Sequence, residues 1–189
     1  IINDSTLDLV VVVTPSSSHY AMTKKLLEAG KNVLVDKPMA ANFDEAKILV
    51  DLARKQGLFI MPYQSRRFDS DFLTVKQVIE NGYLGRLVDL EVHMDHYRPN
   101  DGIFEGPAID GSLYGHGVHL VDQVVSLFGA PKSAMYDLRA TRILEATLDD
   151  QIEVNMFYKN ALKATIQTTE LATIQYPKWQ LRGTHGTFI

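Results

Sequence analysis

The sequence predicts an α/β protein, with a doubly wound parallel sheet first and an α+β domain with an antiparallel sheet after it. Three observations carry this. Over residues 1–62, short β-branched runs alternate with helical spacings, the signature of parallel crossover units. The opening run Leu9 to Val13 is continuously apolar, as in a strand buried on both faces. From Lys132 onward, strand-like segments follow one another with no helical pattern between them, as in antiparallel sheets.

The elements follow in order. Leu9–Val13 is the first strand; it ends at Thr14-Pro15, and the serines at 16–18 are candidate helix N-caps. Apolar residues at Ala21, Met22, Leu26 and Leu27 mark a helix over His19–Ala29, stopped by Gly30. Asn32–Val35 is a second strand. Asn42 and Glu45 form a capping box for a helix over Phe43–Gln56, which Gly57 ends. Leu58–Met61 is a third strand. Beyond it, helices are expected over Phe68–Asn81 and Tyr114–Phe128. Strands are expected over Leu87–Arg98, 133–142, 151–158, 161–169 and 178–183. The domains are accordingly 1–62 and 63–189.

Composition narrows the function. Of 189 residues, 46% are hydrophobic and 22% charged, enough to bury a core. The net charge is −4, with basic residues scattered, so no nucleic-acid partner is expected. There is no cysteine, which removes disulfides and thiolate metal sites. No apolar run is long enough to cross a bilayer. No membrane partner is expected, and a cytoplasmic location is the default reading. The chain opens without methionine and stops in "RGTHGTFI", so a piece of a longer protein is expected.

The chemistry concentrates at strand ends. In parallel α/β sheets ligands sit beyond the carboxyl ends of the strands. Three segments leave such ends here: "TPSSSH" (14–19), "DKP" (36–38) and "PYQSRR" (62–67). Lys37 is the notable group, because a lysine whose pKa is lowered by its surroundings can exchange the proton that accompanies hydride transfer. A lysine at a strand end can equally be a solvated surface group. The second cluster is "GSLYGHGVHLVDQVV" (111–125), where His116, His119 and Asp122 are spaced by three and share one helical face if the helix has begun. These histidines can transfer protons or simply cap backbone groups. No metal site is expected, because His116 and His119 have no evident third ligand. His93 and His96 point to opposite faces of their strand. Trp179 reads as core or interface.

In combination, "DLVVVVTPSSSHYAMTKKLLEAGKNVLVDKP", "RRFDSDFLTVKQVIENGYLGRLVDLEVHMDHYRP" and "GSLYGHGVHLVDQVVSLFGAP" resemble the Gfo/Idh/MocA family, in its scyllo-inositol dehydrogenase-like branch. That family has T-P-x-x-x-H and then a strand ending in E-K-P; Asp36 stands here for the glutamate. The resemblance implies that the first domain is the C-terminal half of a Rossmann fold. The second would be a substrate and oligomerisation domain with a mostly antiparallel open sheet. It implies an NAD(P)-dependent oxidoreductase acting on a secondary hydroxyl of a sugar, cyclitol or related polyol. The glycine turn and the residue that selects NAD or NADP would precede Ile1. By resemblance, Thr14, Pro15, His19, Asp36, Lys37, Pro38 and Gln64 line the nicotinamide end of the cofactor. Lys37 and His119 handle the proton, and Tyr114, His116, His119 and Lys37 meet substrate. The aspartate of the family's D-x-x-x-H motif falls on Gly115. A homo-oligomer, dimer or tetramer, is expected. The alternative function is a catalytically silent dinucleotide-binding sensor or corepressor.

Overall fold

The computed structural model describes residues 1–189 as two compact units, one of residues 1–64 with 107–110, the other of 65–106 with 111–189. The first unit contains β1 (Leu9–Val12), α1 (His19–Glu28), β2 (Asn32–Val35), α2 (Phe43–Gln56) and β3 (Ile60–Pro62). The three strands are parallel in the order β1-β2-β3, with Val10 opposite Val33 and Val33 opposite Ile60. The bounds of α2 follow from local chemistry. Asn42 Oδ1 accepts the Glu45 N–H at 2.9 Å, and Glu45 accepts the Ala41 N–H at 3.1 Å. At the other end Gly57 takes the left-handed conformation, φ 66°, which costs glycine little.

Two expectations fail in this unit. No serine caps α1. Residues Ser16–Ser18 form a 3₁₀ turn, and the Ser18 hydroxyl bonds to Pro15 O and Thr14 Oγ1, both at 2.7 Å. Nor is β1 buried on both faces. Val10 and Val12 pack with Leu26, Leu27, Val33, Val35 and Leu49, while Val11 on the opposite face is 52% exposed. Both helices pack into that one core, so within residues 1–189 only one face of β1 is covered.

The second unit contains α3 (Ser70–Glu80), β4 (Leu87–Asp95), α4 (Val118–Phe128), β5 (Ser133–Arg139), β6 (Gln151–Phe157), β7 (Lys163–Thr169), β8 (Trp179–Gly183) and β9 (Thr187–Phe188). Its sheet has the order β5-β6-β7-β4-β8-β9. Every pairing is antiparallel except β4 with β7, which is parallel. Alternation sorts the two faces. Leu90, Val92, Ile152, Val154, Ala164, Ile166, Trp179 and Leu181 build one core with Phe72 and Val75 of α3 and Leu120 and Val124 of α4. Trp179 is thus core, and its indole N–H donates to Asp71 at 2.8 Å. The opposite face carries polar residues in a hydrogen-bonded strip. Gln167 and Asn155 both donate to Glu153, and Thr165 donates to Asn155.

Candidate active site

In the first unit the predicted residues gather at the carboxyl edge of the parallel sheet. Main-chain bonds stitch that edge together. Asp36 N donates to Val12 O and Tyr63 N to Val35 O, both at 2.8 Å. His19, 1% exposed, ties two of the loops to each other, with Nδ1 2.7 Å from Pro38 O and Nε2 2.7 Å from Thr14 O. Carbonyl oxygens only accept, so both bonds are complete only when the ring carries both protons. His19 therefore shapes the site from beneath and fixes where Thr14 and Pro38 sit. Lys37 is partly buried at the tip of β2, and the Lys37–Pro38 peptide is cis. Asp36 Oδ1 accepts the Lys37 backbone N–H at 2.8 Å. Pro15 is exposed, and its carbonyl closes the 3₁₀ turn by accepting Ser18 N–H at 2.9 Å. At the end of β3, Gln64 Oε1 is buried without a hydrogen-bond partner.

This edge offers a hydroxyl, an ammonium and an orphaned amide oxygen. Such a set suits a ligand rich in hydroxyl and carboxamide groups, as the nicotinamide riboside end of a dinucleotide is. The buried Gln64 acceptor is the specific fit, because an N–H or O–H donor would complete it.

In the second unit the predicted helix over Tyr114–Phe128 begins differently. Leu113–Gly117 is a single π turn, and α4 starts only at Val118. π turns inside helices occur disproportionately at functional sites. This one is pinned by Asp149, whose Oδ2 accepts Leu113 N–H at 2.7 Å and whose carbonyl accepts Ser112 N–H at 3.0 Å. Burial pushes the Asp149 carboxyl up, the Leu113 bond opposes this, and the neighbouring Asp150 charge adds to the rise. Asp149 was not legible as a site residue, because it lies 36 positions from the group it holds.

The π turn takes His116 out of the three-residue α-helical spacing, while His119 and Asp122 stay three apart within α4. Asp122 pairs with Arg67, whose two arms hold its carboxylate at 2.7 Å each. His119 is buried at 8% exposure in the first turn of α4. Tyr114 and His116 lie in the π turn, both partly buried. A Cβ built on Gly115 meets no atom within 4 Å, so the position is open. His93 and His96 do point apart: His93 stacks on Tyr176 at 4.9 Å between ring centres, and His96 approaches His116 at 5.1 Å.

Comparison with known proteins now decides the family. Residues 72–189 match the family model described as the GFO/IDH/MocA C-terminal domain, and residues 1–64 match that of the oxidoreductase family with an NAD-binding Rossmann fold. The chain belongs to the GFO/IDH/MocA oxidoreductase family. Among curated relatives, the uncharacterized oxidoreductase YhhX of Escherichia coli is 48% identical over all of this chain and 54% of its own length. The scyllo-inositol 2-dehydrogenase (NADP(+)) IolW of Bacillus subtilis is 35% identical over all of this chain and 53% of its own. The crystal structure of a probable oxidoreductase yhhX superposes with a TM-score of 0.92 at 47% identity, covering 98% of this chain and 54% of that one. The chain thus spans about half the length of the curated relatives it matches. No helix is long and apolar enough to cross a membrane.

Proposed function

We propose that the protein to which this chain belongs oxidises a secondary hydroxyl of a sugar, cyclitol or related polyol, reversibly, with NAD or NADP. The observation that carries the reading is Lys37, held at the tip of β2 in an NAD-binding Rossmann unit, beside the knot that His19 ties between Thr14 and Pro38. The dinucleotide, when bound, supplies the hydride acceptor. Thr14, Pro15, Asp36, Pro38 and Gln64 are assigned to holding its nicotinamide end, and Lys37 to taking the proton from the substrate hydroxyl. His119 is the second proton-carrying group by its place in the family motif, and Tyr114 and His116 are assigned to substrate. The test is turnover of NAD+ and NADP+ by the full-length protein against a panel of cyclitols, aldoses and sugar acids. Oxidation of at least one member supports the reading. Saturable dinucleotide binding with no turnover on the whole panel would replace it with the silent-sensor reading, which Gly115 in the motif's aspartate position favours.

Position 115 sets the expected substrate preference. Glycine there gives room and removes a negative charge, which suits a bulkier or more anionic substrate than a bare cyclitol. Gly115→Asp is accommodated, since nothing lies within 4 Å of a new Cβ. The added carboxylate should lower kcat/KM for sugar acids relative to neutral polyols by about tenfold or more, because like charges placed together cost several kcal/mol. An unchanged ratio would remove position 115 from the substrate pocket.

The proposed macromolecular partner is a second copy. The polar face of the β4–β9 sheet carries Glu91, Glu153, Lys163 and Arg182 in one strip, so charges of both signs are available for a two-fold contact. Light scattering of the full-length protein at micromolar concentration should give a dimer or tetramer; a monomer would end the idea.

A further inference from the structure

We infer a divalent metal site in the second unit, made by His96, His116 and Glu170. Their ligand atoms all lie within 4.8 Å of one another. Nδ1 of His116 is 3.3 Å from Glu170 Oε1, and Nδ1 of His96 is 3.8 Å from the same oxygen. With metal–ligand bonds of about 2.0–2.2 Å, tetrahedral geometry places ligand atoms roughly 3.3–3.6 Å apart. Small rotations of the two rings bring the set to that spacing.

The geometry does not depend on flexible side chains meeting by chance. His96 and Glu170 follow directly on the parallel neighbours β4 and β7, where Asp95 pairs with Thr169. Three main-chain bonds lock the two ends together. His96 N donates to Thr169 O at 2.8 Å, Arg98 N to Glu170 O at 2.8 Å, and Ala172 N to His96 O at 2.9 Å. By strand alternation both side chains fall on the helix-bearing face, with Met94 and Thr168. There the π turn, fixed by Asp149, brings His116.

Electrostatics point to a cation. Glu170 is 5% exposed, and its Oε2 is buried without a hydrogen-bond partner. A buried carboxylate is costly unless its charge is met. Both histidines approach the same oxygen, Oε1, at 3.3 Å from His116 and 3.8 Å from His96, and Oε2 is left unmet. A divalent ion among the three groups would meet that charge and use the converging nitrogen lone pairs. Two imidazoles and a carboxylate favour Zn²⁺ or a neighbouring first-row ion over Mg²⁺ or Ca²⁺. Three protein ligands leave a coordination position for water or a small molecule's oxygen. His96 and His116 also line a cavity of about 400 Å³ from which such an oxygen could come.

The site shares His116 with the substrate assignment above and is tested by binding alone, so its outcome is read apart from turnover. The full-length protein is stripped with chelator and titrated with Zn²⁺ by calorimetry and with Co²⁺ by visible absorption. One equivalent of Zn²⁺ should bind, and Co²⁺ should give the intense d–d bands of a four- or five-coordinate site. His96→Ala, His116→Ala and Glu170→Gln should each weaken Zn²⁺ binding by more than about 100-fold, since losing even an outer partner of a metal ligand costs 10–100-fold. His185→Ala, at an exposed histidine outside the cluster, should leave it unchanged. Circular dichroism establishes that each variant is folded, and the near-isosteric Glu170→Gln carries the test if a histidine variant is not. Absence of saturable binding, or binding that survives Glu170→Gln at full strength, overturns the site.

Discussion

Lys37→Met is expected to lower kcat by about 10²–10⁴-fold, the range ascribed to a positioned proton-transfer group. That loss corresponds to about 3–5 kcal/mol of barrier. Methionine keeps the length and apolar stem of lysine and removes only the ammonium. The hydrogen bond from the residue 37 backbone N–H to Asp36 Oδ1 survives the change. So does the His19 knot, which uses the carbonyls of Thr14 and Pro38. Dinucleotide affinity, measured by fluorescence titration of the full-length protein, should therefore stay within a few-fold of wild type while turnover collapses. Lys37→Arg separates charge from proton transfer. Guanidinium stays protonated at every working pH, so an arginine that restores turnover would make the role electrostatic. Normal turnover by the methionine variant would remove Lys37 from the chemistry altogether.

What could be read in the sequence was what short-range chemistry decides. The bounds of α2 were legible to the residue because Asn42, Glu45 and Gly57 each act within one turn of the helix end they set. The opposite orientations of His93 and His96 followed from the two-residue period alone. Three features were not legible, and each depends on groups distant in sequence. The parallel pairing of β4 with β7 leaves the same alternating pattern as an antiparallel one would. The π turn at Leu113–Gly117 has no periodic signature in five residues, and its anchor is Asp149. The gathering of His96, His116 and Glu170 needs both of those features at once, and helical spacing alone pairs His116 only with His119. The bare face of β1 failed for another reason. Leu9, Val11 and Val13 are all more than two-fifths exposed, and a run of β-branched residues reports a strand without reporting what covers it.

Asp150→Ala is expected to cost about 3–5 kcal/mol of stability in the second unit, the usual consequence of breaking a buried ion pair from one side. The side chains of Asp150 and Arg142 are 3% and 6% exposed and meet at 2.9 Å. The carboxylate also accepts the Thr141 N–H at 2.8 Å, the Thr141 hydroxyl at 2.7 Å and the Arg142 N–H at 3.1 Å. Arg142 goes on to donate to the carbonyls of Arg98 and Asp101 and lies over the Phe104 ring. Alanine would leave the guanidinium buried without its counter-charge and two backbone N–H groups without acceptors. Burial alone pushes the Asp150 carboxyl up, but the bonds from Thr141 and Arg142 together outweigh it and hold the group below the usual carboxylate range. A carboxyl lowered by folding stabilises the protein above its unfolded pKa of about 3.9, and that contribution disappears as pH falls through the folded value. Urea melts should therefore separate wild type from Asp150→Ala most widely at neutral pH, with the gap closing in acid. A gap that stays constant with pH would assign the cost to packing, and a gap below about 1 kcal/mol at pH 7 would reduce the pair to the level of a surface salt bridge. The adjacent Asp149 pins the π turn that carries Tyr114 and His116. Loss of the Asp150 anchor should therefore loosen that turn as well, and hydrogen exchange of the Leu113 amide should quicken in the same variant.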